Sequence, residues 1–442
     1  MKRILAKEIK LSAGGSAEVY MCGWVHRIRE LGAVSFVVLR DRSGLAQLVL
    51  DKKYDLSLES VIKAQGTLAL NEKAPGGAEL RVTSLDILSK ASSDLPFQVN
   101  GDINKIGLEA ILDQRSLSLR NPKIRALFKV QSTIIEAFSQ YLRQQDFTEI
   151  KSSKLIGSGT EGGTNLFEVQ YFDSKVYLAQ SPQVYKQTMV ASGLERVFEV
   201  APAYRAEKHD TPRHLNEYVS MDLEMGFIES EKELIELEKA LLAYIFEEVA
   251  RKNAPELALW EKENASVPSA ESVMKSPTIS YEEALKIANE SCGIAESSTA
   301  GEAKSNRIFD ITPEVERILS EWSAKEHGSE LVFVNEFPRR HRPFYTYPLD
   351  AKSTMSFDAI FRGIEITSGG RRQNVYAEQL DAMPRFGLDP KKMEGYLSIF
   401  KYGCPPHGGF AIGCERLTAK IFRLTNVKEA SLFPRDRKRV SP

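Results

Sequence analysis

Cysteine is scarce in this chain: four in 442 residues, at positions 22, 292, 404 and 414, and none in a Cys-x-x-Cys pair. That spacing argues against a disulfide framework and against a zinc site. No apolar run approaches the ~20 residues a membrane span needs. The first residues, "MKRILAKEIKLSAGG", have no apolar signal core, so the expected location is cytoplasmic. There is no P-loop and no G-x-G-x-x-G, which removes two common glycine-loop nucleotide folds. Nor does either sign of charge dominate, the net value being -1. Nucleic acid would then have to be held by a local patch rather than by the whole surface.

What is present falls into parts of different character. At 42% hydrophobic and 27% charged residues, the chain reads as an ordinary soluble protein of two or three domains. From Glu18 to Leu88, "VYMCGWVHRI", "VSFVVLRD", "LAQLVL", "VIKAQGTLAL" and "ELRVTSLDI" read as five short strands separated by turn-like segments. Their order fits a small barrel of the oligonucleotide-binding (OB) type, with a generic β-domain as the plainer alternative. Pro122 then opens a helix with Ile124, Leu127, Val130, Ile134, Phe138 and Leu142 at helical spacing. Further on, "RVFEVAPAYRAE" and "EYVSMDLEMGF" form the arms of a hairpin, and "EKELIELEKALLAYIFEEVARKN" an amphipathic packing helix. Residues 253–277 read as a loose surface segment, and the last strands run through 331–335, 356–367 and 408–414. Strands mixed with helices, without regular βαβ alternation, predict an α+β fold with an antiparallel sheet flanked by helices. The expected organisation is a barrel over 1–90, a linker or hinge over 91–120 and a larger domain over 121–442.

Three stretches of the larger domain carry chemistry. "YRAEKHDTPRHLNE" crowds Arg205, Glu207, Arg213 and His214 onto a hairpin loop. Arginine forks match phosphate oxygens and stack on purines, although a charged hairpin tip is often merely solvated. "SFDAIFRGIEITSGGRR" brings Asp358, Glu365 and Ser368 together on what reads as one strand, beside Arg371 and Arg372. Carboxylates with a hydroxyl suit Mg²⁺, while two strand carboxylates standing alone are more often surface charges. In "GGFAIGCERLTAKIF", small residues end a strand and Arg416 begins a helix, a place where backbone can approach a nucleotide or simply turn tightly.

In this chain order the three resemble motifs 2 and 3 of the class II aminoacyl-tRNA synthetases. "GTEGGTNLFEVQYF", "LAQSPQVYKQ", "RHLNE", "RPFYTYP", "FRGIEITSGG", "YGCPPHGGF" and "LFPRDRKR" further resemble the archaeal-type aspartyl-tRNA synthetases, over nearly the whole chain. The resemblance implies an OB-fold anticodon-binding domain followed by a class II catalytic domain. It implies ATP-dependent attachment of L-aspartate to tRNA through an aspartyl-adenylate, by a homodimer. Arg205 and Arg416 are then the catalytic cations, and Glu207, Arg213, His214, Leu215, Glu365 and residues Gly413, Cys414, Glu415 and Arg416 bind ATP. Asp358, Glu365 and Ser368 hold Mg²⁺. Glu161, Gln183, Lys186, Arg205, Ser368 and Arg372 form the aspartate pocket. There two cations facing the substrate carboxylate would reject asparagine, because an amide leaves them unpaired. Arg371 is expected to face solvent, and the glycines beside it to let the backbone lie under the substrate.

In the barrel, Phe36 and Gln47 match anticodon-binding residues, although strand alternation with Val34 and Val38 would equally allow Phe36 a core place. His26 and Pro75 match relatives that charge tRNA(Asn) as well as tRNA(Asp), where stricter relatives carry Trp and Lys. The alternatives are an enzyme restricted to tRNA(Asp), an asparaginyl-tRNA synthetase, and an inactive RNA-binding paralogue. The chain departs from the family at Ser153, where motif 1 ends in proline, at Ala411 for a usual glycine, and at Asn374 for histidine.

Overall fold

The computed structural model describes residues 2–441 apart from 14–17, 33, 158, 160–165, 209 and 295–307. The chain divides into two compact units, Met1–Asn121 and Pro122–Pro442.

The first unit is a closed five-stranded barrel. Its strands are β1 (Val19–Leu31), β2 (Val34–Arg40), β3 (Leu45–Leu50), β4 (Val61–Leu70) and β5 (Ala78–Ser89), paired in the order β1-β2-β3-β5-β4 and closed by β4 back onto β1. Alternation settles which way side chains point. Val37, Leu39, Ala46 and Leu48 are buried in the barrel core, so Phe36, between Ser35 and Val37, takes the opposite face and is half-buried. Residues 91–120, expected to link the units, carry two short helices, Leu108–Asp113 and Arg115–Ser118, and bury Val99, Ile111, Leu112 and Leu117.

The second unit is built on an eight-stranded sheet. In chain order it takes the helix α1 (Pro122–Gln144), β6 (Thr148–Glu149), the short helix α2 (Gln183–Met189), β7 (Arg196–Tyr204) and β8 (Glu217–Gly226). There follow α3 (Glu231–Ala258), β9 (Thr278–Ser280), α4 (Pro313–His327), β10 (Leu331–Asn335), β11 (Ser356–Phe361), β12 (Ile364–Arg372), β13 (His407–Gly413) and α5 (Cys414–Ile421). The strand order is β9-β10-β11-β12-β13-β8-β7-β6, antiparallel except for a parallel pair at each edge. Helices α1 and α3 cover one face, where Phe138, Phe246 and Leu242 meet Phe198, Leu223, Phe361 and Phe410. Polar side chains of β8 and β12, with Lys186 of α2, Arg205 just after β7 and Arg416 of α5, line a cavity of about 350 Å³.

Three sequence expectations change. The run 356–367 is a hairpin, not one strand: β11 and β12 meet at a two-residue turn, Arg362 (φ 48°) and Gly363 (φ 76°). Both central residues take positive φ, the geometry that matches strand twist in tight hairpins. Asp358 and Glu365 therefore sit on neighbouring strands. Residues 253–277 are not loose: α3 continues to Ala258, Trp260 is 6% exposed and donates Nε1–H to the Lys123 carbonyl (2.8 Å), and Val273 is buried. Helix α3 is not simply amphipathic, since Glu238, at 0% exposure, lies in the core facing Thr367.

Candidate active site

Strand alternation builds the cavity floor. On β8, Met221, Leu223 and Met225 enter the core, which turns Ser220, Asp222 and Glu224 to the other face. Lys186, on α2, reaches them: its ammonium lies 3.0 Å from Asp222 Oδ1 and 3.3 Å from Glu224 Oε2, and donates to the Leu223 carbonyl at 3.2 Å. Arg372, at the end of β12, donates Nε–H to Glu224 Oε1 at 2.9 Å and Nη2–H to the Gly409 carbonyl at 2.8 Å. Burial pushes the Glu224 carboxyl up, but Arg372 and Lys186 outweigh it and hold the group below its ordinary range. Both cations are thus already paired, so asparagine would not strand them, contrary to the expectation from sequence. Their arrangement still favours an anion: Lys186 and Arg372 line the cavity, whereas Glu224 lies behind them at 0% exposure. Gln183 lines the same end and is 4% exposed.

The other end of the cavity is cationic. Arg205, leaving β7, lies over the Tyr218 ring (5.8 Å), and its backbone is clasped by Asn216, whose Nδ2–H donates to the Arg205 carbonyl at 2.7 Å. Arg416, in the first turn of α5, donates Nη1–H to the Glu365 carbonyl at 2.8 Å, with the Glu365 carboxylate 3.4 Å away. Arg213 is ion-paired to Glu316 on α4. His214 is tied through Nδ1 to the Thr211 hydroxyl (2.6 Å), and burial, then Arg416, hold its imidazole below the ordinary value, hence neutral. Glu207 and Leu215 line the wall beside it. Among the described residues that line the cavity, six side chains are cationic and four are carboxylates, a surplus suited to a polyanionic ligand.

Of the three expected oxygen donors, Glu365 and Ser368 line this cavity, whereas Asp358 lines an adjoining one that shares Glu365. Asp358 and Ser368 are direct cross-strand partners, and the ladder shifts register at Ala359/Ile360, where Ile366 is the extra residue. This bulge lets Glu365 and Ser368, three residues apart, line one cavity. Two carboxylates and a hydroxyl fit a hard cation such as Mg²⁺. Among the described residues no three His, Cys, Asp or Glu side chains make a metal site by themselves, so such an ion would need substrate oxygens as well. Burial pushes Asp358 up to about 6, with Arg342 opposing and Glu365 adding to the rise.

Several expected residues sit differently. Cys414 is fully buried among Leu417 and Ile412, so only its backbone could approach a nucleotide. Glu415 accepts the Val219 N–H on both oxygens (3.1 and 3.0 Å), and burial pushes it up to about 7; it braces α5 against β8. A Cβ at Gly369 would meet Phe410 Cβ at 2.6 Å and Phe357 at 2.9 Å, so core packing, not the substrate, forbids a side chain there. Arg371 is not simply solvated: its guanidinium stacks on Tyr347 (3.9 Å) and donates to the Glu229 carbonyl (2.8 Å). Ala411 is paired with Asp222 and Ser368 at negative φ, so its methyl is tolerated. Glu161 lies outside the described residues. Asp222, Glu224 and Arg342 were missed, although the period-two alternation of "SMDLEM" could have revealed the first two.

The barrel carries the second group. Phe36 and Gln47 lie on adjacent strands, opposite Val49 and Val38 respectively, both half-buried. Gln47 donates to Glu79 (2.9 Å). Arg40, 1% exposed, pairs with Glu59 at 2.6 Å and donates Nη1–H to His26 Nδ1 at 2.8 Å. Arginine can only donate, and burial, then Arg40, lower the His26 value, so the neutral ring carries its proton on Nε2. Pro75 opens a short turn between β4 and β5.

Residues 107–437 match the family described as tRNA synthetases class II (D, K and N), and residues 19–88 an OB-fold nucleic acid binding domain. The chain belongs to the class II tRNA synthetases. Over 440 residues the synthetase is 43% identical to the aspartate–tRNA(Asp/Asn) ligase of Thermus thermophilus, with 100% of each chain covered. It is 39% identical to the aspartate–tRNA(Asp) ligase of Pyrococcus horikoshii, covering 96% of each. Its fold is similar to that of the P. horikoshii asparaginyl-tRNA synthetase complexed with asparaginyl-adenylate, at TM-score 0.87, 29% identity and 99% coverage of each chain.

Proposed function

We propose that the chain is an aspartate–tRNA ligase that charges both tRNA(Asp) and tRNA(Asn). The observation that carries this reading is one cavity with Arg205 and Arg416 at one end and buried Lys186 and Arg372 at the other. In the first step an aspartate α-carboxylate oxygen attacks the α-phosphorus of ATP, the bond to the bridging oxygen breaks, and pyrophosphate leaves. Arg205 and Arg416 balance the charge that builds on the α-phosphate and the leaving group, and no protein nucleophile is needed. Glu207, Arg213, His214 and Leu215 enclose the nucleotide. Gln183 and Glu161 orient the substrate ammonium, and Lys186 and Arg372 meet the side-chain carboxylate. Asp358, Glu365 and Ser368 would hold Mg²⁺, which when bound neutralises phosphate charge. In the second step a terminal tRNA hydroxyl attacks the adenylate carbonyl and AMP leaves.

Phe36 and Gln47 receive an anticodon base by stacking and hydrogen bonding, and His26 and Pro75 set tRNA choice. The relatives are named for both habits, tRNA(Asp/Asn) in T. thermophilus and tRNA(Asp) in P. horikoshii; His26 and Pro75 favour the first. The working form is a homodimer in the cytoplasm. Among the described residues no helix is long and apolar enough to cross a membrane.

Aspartate-dependent ATP–pyrophosphate exchange tests the first step, and labelled-aspartate charging of both tRNA transcripts tests the second. Exchange with no amino acid would leave an RNA-binding paralogue, and exchange with asparagine alone an asparaginyl enzyme. Charging of tRNA(Asp) alone would overturn the reading of His26 and Pro75.

A further inference from the structure

Arg342 belongs to none of the elements assigned so far, yet it is held more tightly than a surface arginine. It follows the short turn Arg339–His341 and lies on the boundary of two cavities. One is the candidate active site; the other, of about 250 Å³, is lined by Asp310, Glu316, Asp358 and Glu365. Its Nη2 is 2.8 Å from Asp358 Oδ1, and Nη1–H donates to the Ser368 hydroxyl at 2.9 Å. The guanidinium also stacks on Phe337, 3.8 Å from the ring centroid, with its side chain only 10% exposed. One planar fork thus engages two of the three oxygen donors that fit Mg²⁺.

We propose that Arg342 is a built-in counter-ion for the metal site: it occupies Asp358 and Ser368 until nucleotide and metal arrive together, and so keeps uncomplexed metal from binding. This rests on the assignment of Asp358, Glu365 and Ser368 as metal ligands. The physical case is competition. A guanidinium and a divalent cation cannot share the same carboxylate oxygens without repulsion in a partly desolvated site. Without Arg342, Asp358 would stand at 8% exposure beside Glu365 with no other positive charge among the described residues credited with offsetting its burial. Arg342 removes that problem in the empty enzyme and lines the same cavity as Arg205 and Arg416. Once displaced, it remains where phosphate oxygens can accept from it, so the positive charge is transferred between partners rather than expelled.

The test is a titration of the full-length protein with Mn²⁺ at pH 8, read by the electron paramagnetic resonance of unbound Mn²⁺, with and without ATP. Without ATP, Arg342→Gln should bind Mn²⁺ about tenfold or more tighter than wild type, because the competing charge is gone. With ATP the two should differ much less. Arg342→Lys, which keeps the charge but not the two-point fork, should gain a smaller factor; it serves as the second variant if Arg342→Gln does not fold. Wild-type Mn²⁺ affinity without ATP in both variants overturns the role of Arg342, as does weaker binding in Arg342→Gln. A wild type that binds no Mn²⁺ even with ATP overturns the metal assignment with it. Aspartate-dependent exchange by wild type separates either failure from failure of the proposed reaction.

Discussion

Lys186 and Arg372 share one buried carboxylate: Glu224 lies 3.3 Å from the ammonium and 2.9 Å from the guanidinium Nε. With Asp222 the four charges cancel, and only the two cations and Asp222 reach the cavity. Lys186→Met removes one cation and leaves Asp222 and Glu224 to Arg372 alone. Breaking such a buried set costs about 3–5 kcal/mol, so thermal unfolding should move down by several degrees. The kcat/KM for aspartate in pyrophosphate exchange should fall by a larger factor than that for ATP, and the preference for aspartate over asparagine should shrink. Equal losses for aspartate and ATP would show that Lys186 supports the fold alone.

Arg416 is aimed chiefly by the Glu365 carbonyl (2.8 Å), with the carboxylate of the same residue a longer second contact (3.4 Å). Its orientation therefore survives substitution of the Glu365 carboxylate but not loss of the guanidinium. Arg416→Ala should lower kcat for exchange by about 100-fold or more, the scale for deleting one preorganised charge from a transition state. The KM for aspartate should change little, because the proposed aspartate contacts, Lys186 and Arg372, lie at the other end of the cavity. A drop confined to KM for aspartate would contradict this placement.

Glu238 gives the fold a pH dependence. Burial pushes its carboxyl from the ordinary 4.5 up to about 8, so the folded protein holds it neutral beside Thr367. The unfolded chain ionises it near 4.5. Stability from this group is complete below that value and is lost steadily as pH rises to about 8, by an amount on the order of 3–5 kcal/mol. Glu238→Gln keeps the shape and cannot ionise. It should change Tm by less than about 2 °C at pH 5 and raise it by several degrees at pH 8.5. An equal shift at both values would show that Glu238 is not buried as a neutral acid.

The features legible in the sequence are those with local causes. Barrel strands announce themselves by alternation and turn residues, and the β7–β8 hairpin by two β-rich arms around a charged loop. Arg205 and Arg416 stood out because an arginine at a strand or helix end has few structural reasons to be there. The hairpin at Arg362-Gly363 was hidden because β11 is buried on both faces and the first residues of β12, Ile364 and Ile366, continue its apolar pattern across the turn. Long-range pairing was hidden for a different reason. Nothing within a few residues of Lys186 says that Asp222 and Glu224 lie beside it, and Arg342 is masked by the neighbouring basic residues 339–341. Glu238 sits in a helix whose charges otherwise look solvated; only the tertiary fold buries it.

If His26 sets tRNA choice as proposed, one substitution there should shift the preference. Its Nδ1 accepts from Arg40, which fixes the proton on Nε2 and presents a hydrogen-bond donor from β1. An indole has no acceptor for Arg40, so His26→Trp breaks that link. Arg40 keeps Glu59 at 2.6 Å, so the loss of stability should stay near about 1 kcal/mol, the scale of one hydrogen bond. The ratio of kcat/KM for tRNA(Asp) over tRNA(Asn) should rise about tenfold, equivalent to about 1.4 kcal/mol. Pyrophosphate exchange needs no tRNA and reports whether the variant is folded. If exchange persists and both transcripts lose charging in equal proportion, His26 contributes general affinity for the anticodon and tRNA choice lies elsewhere in the barrel.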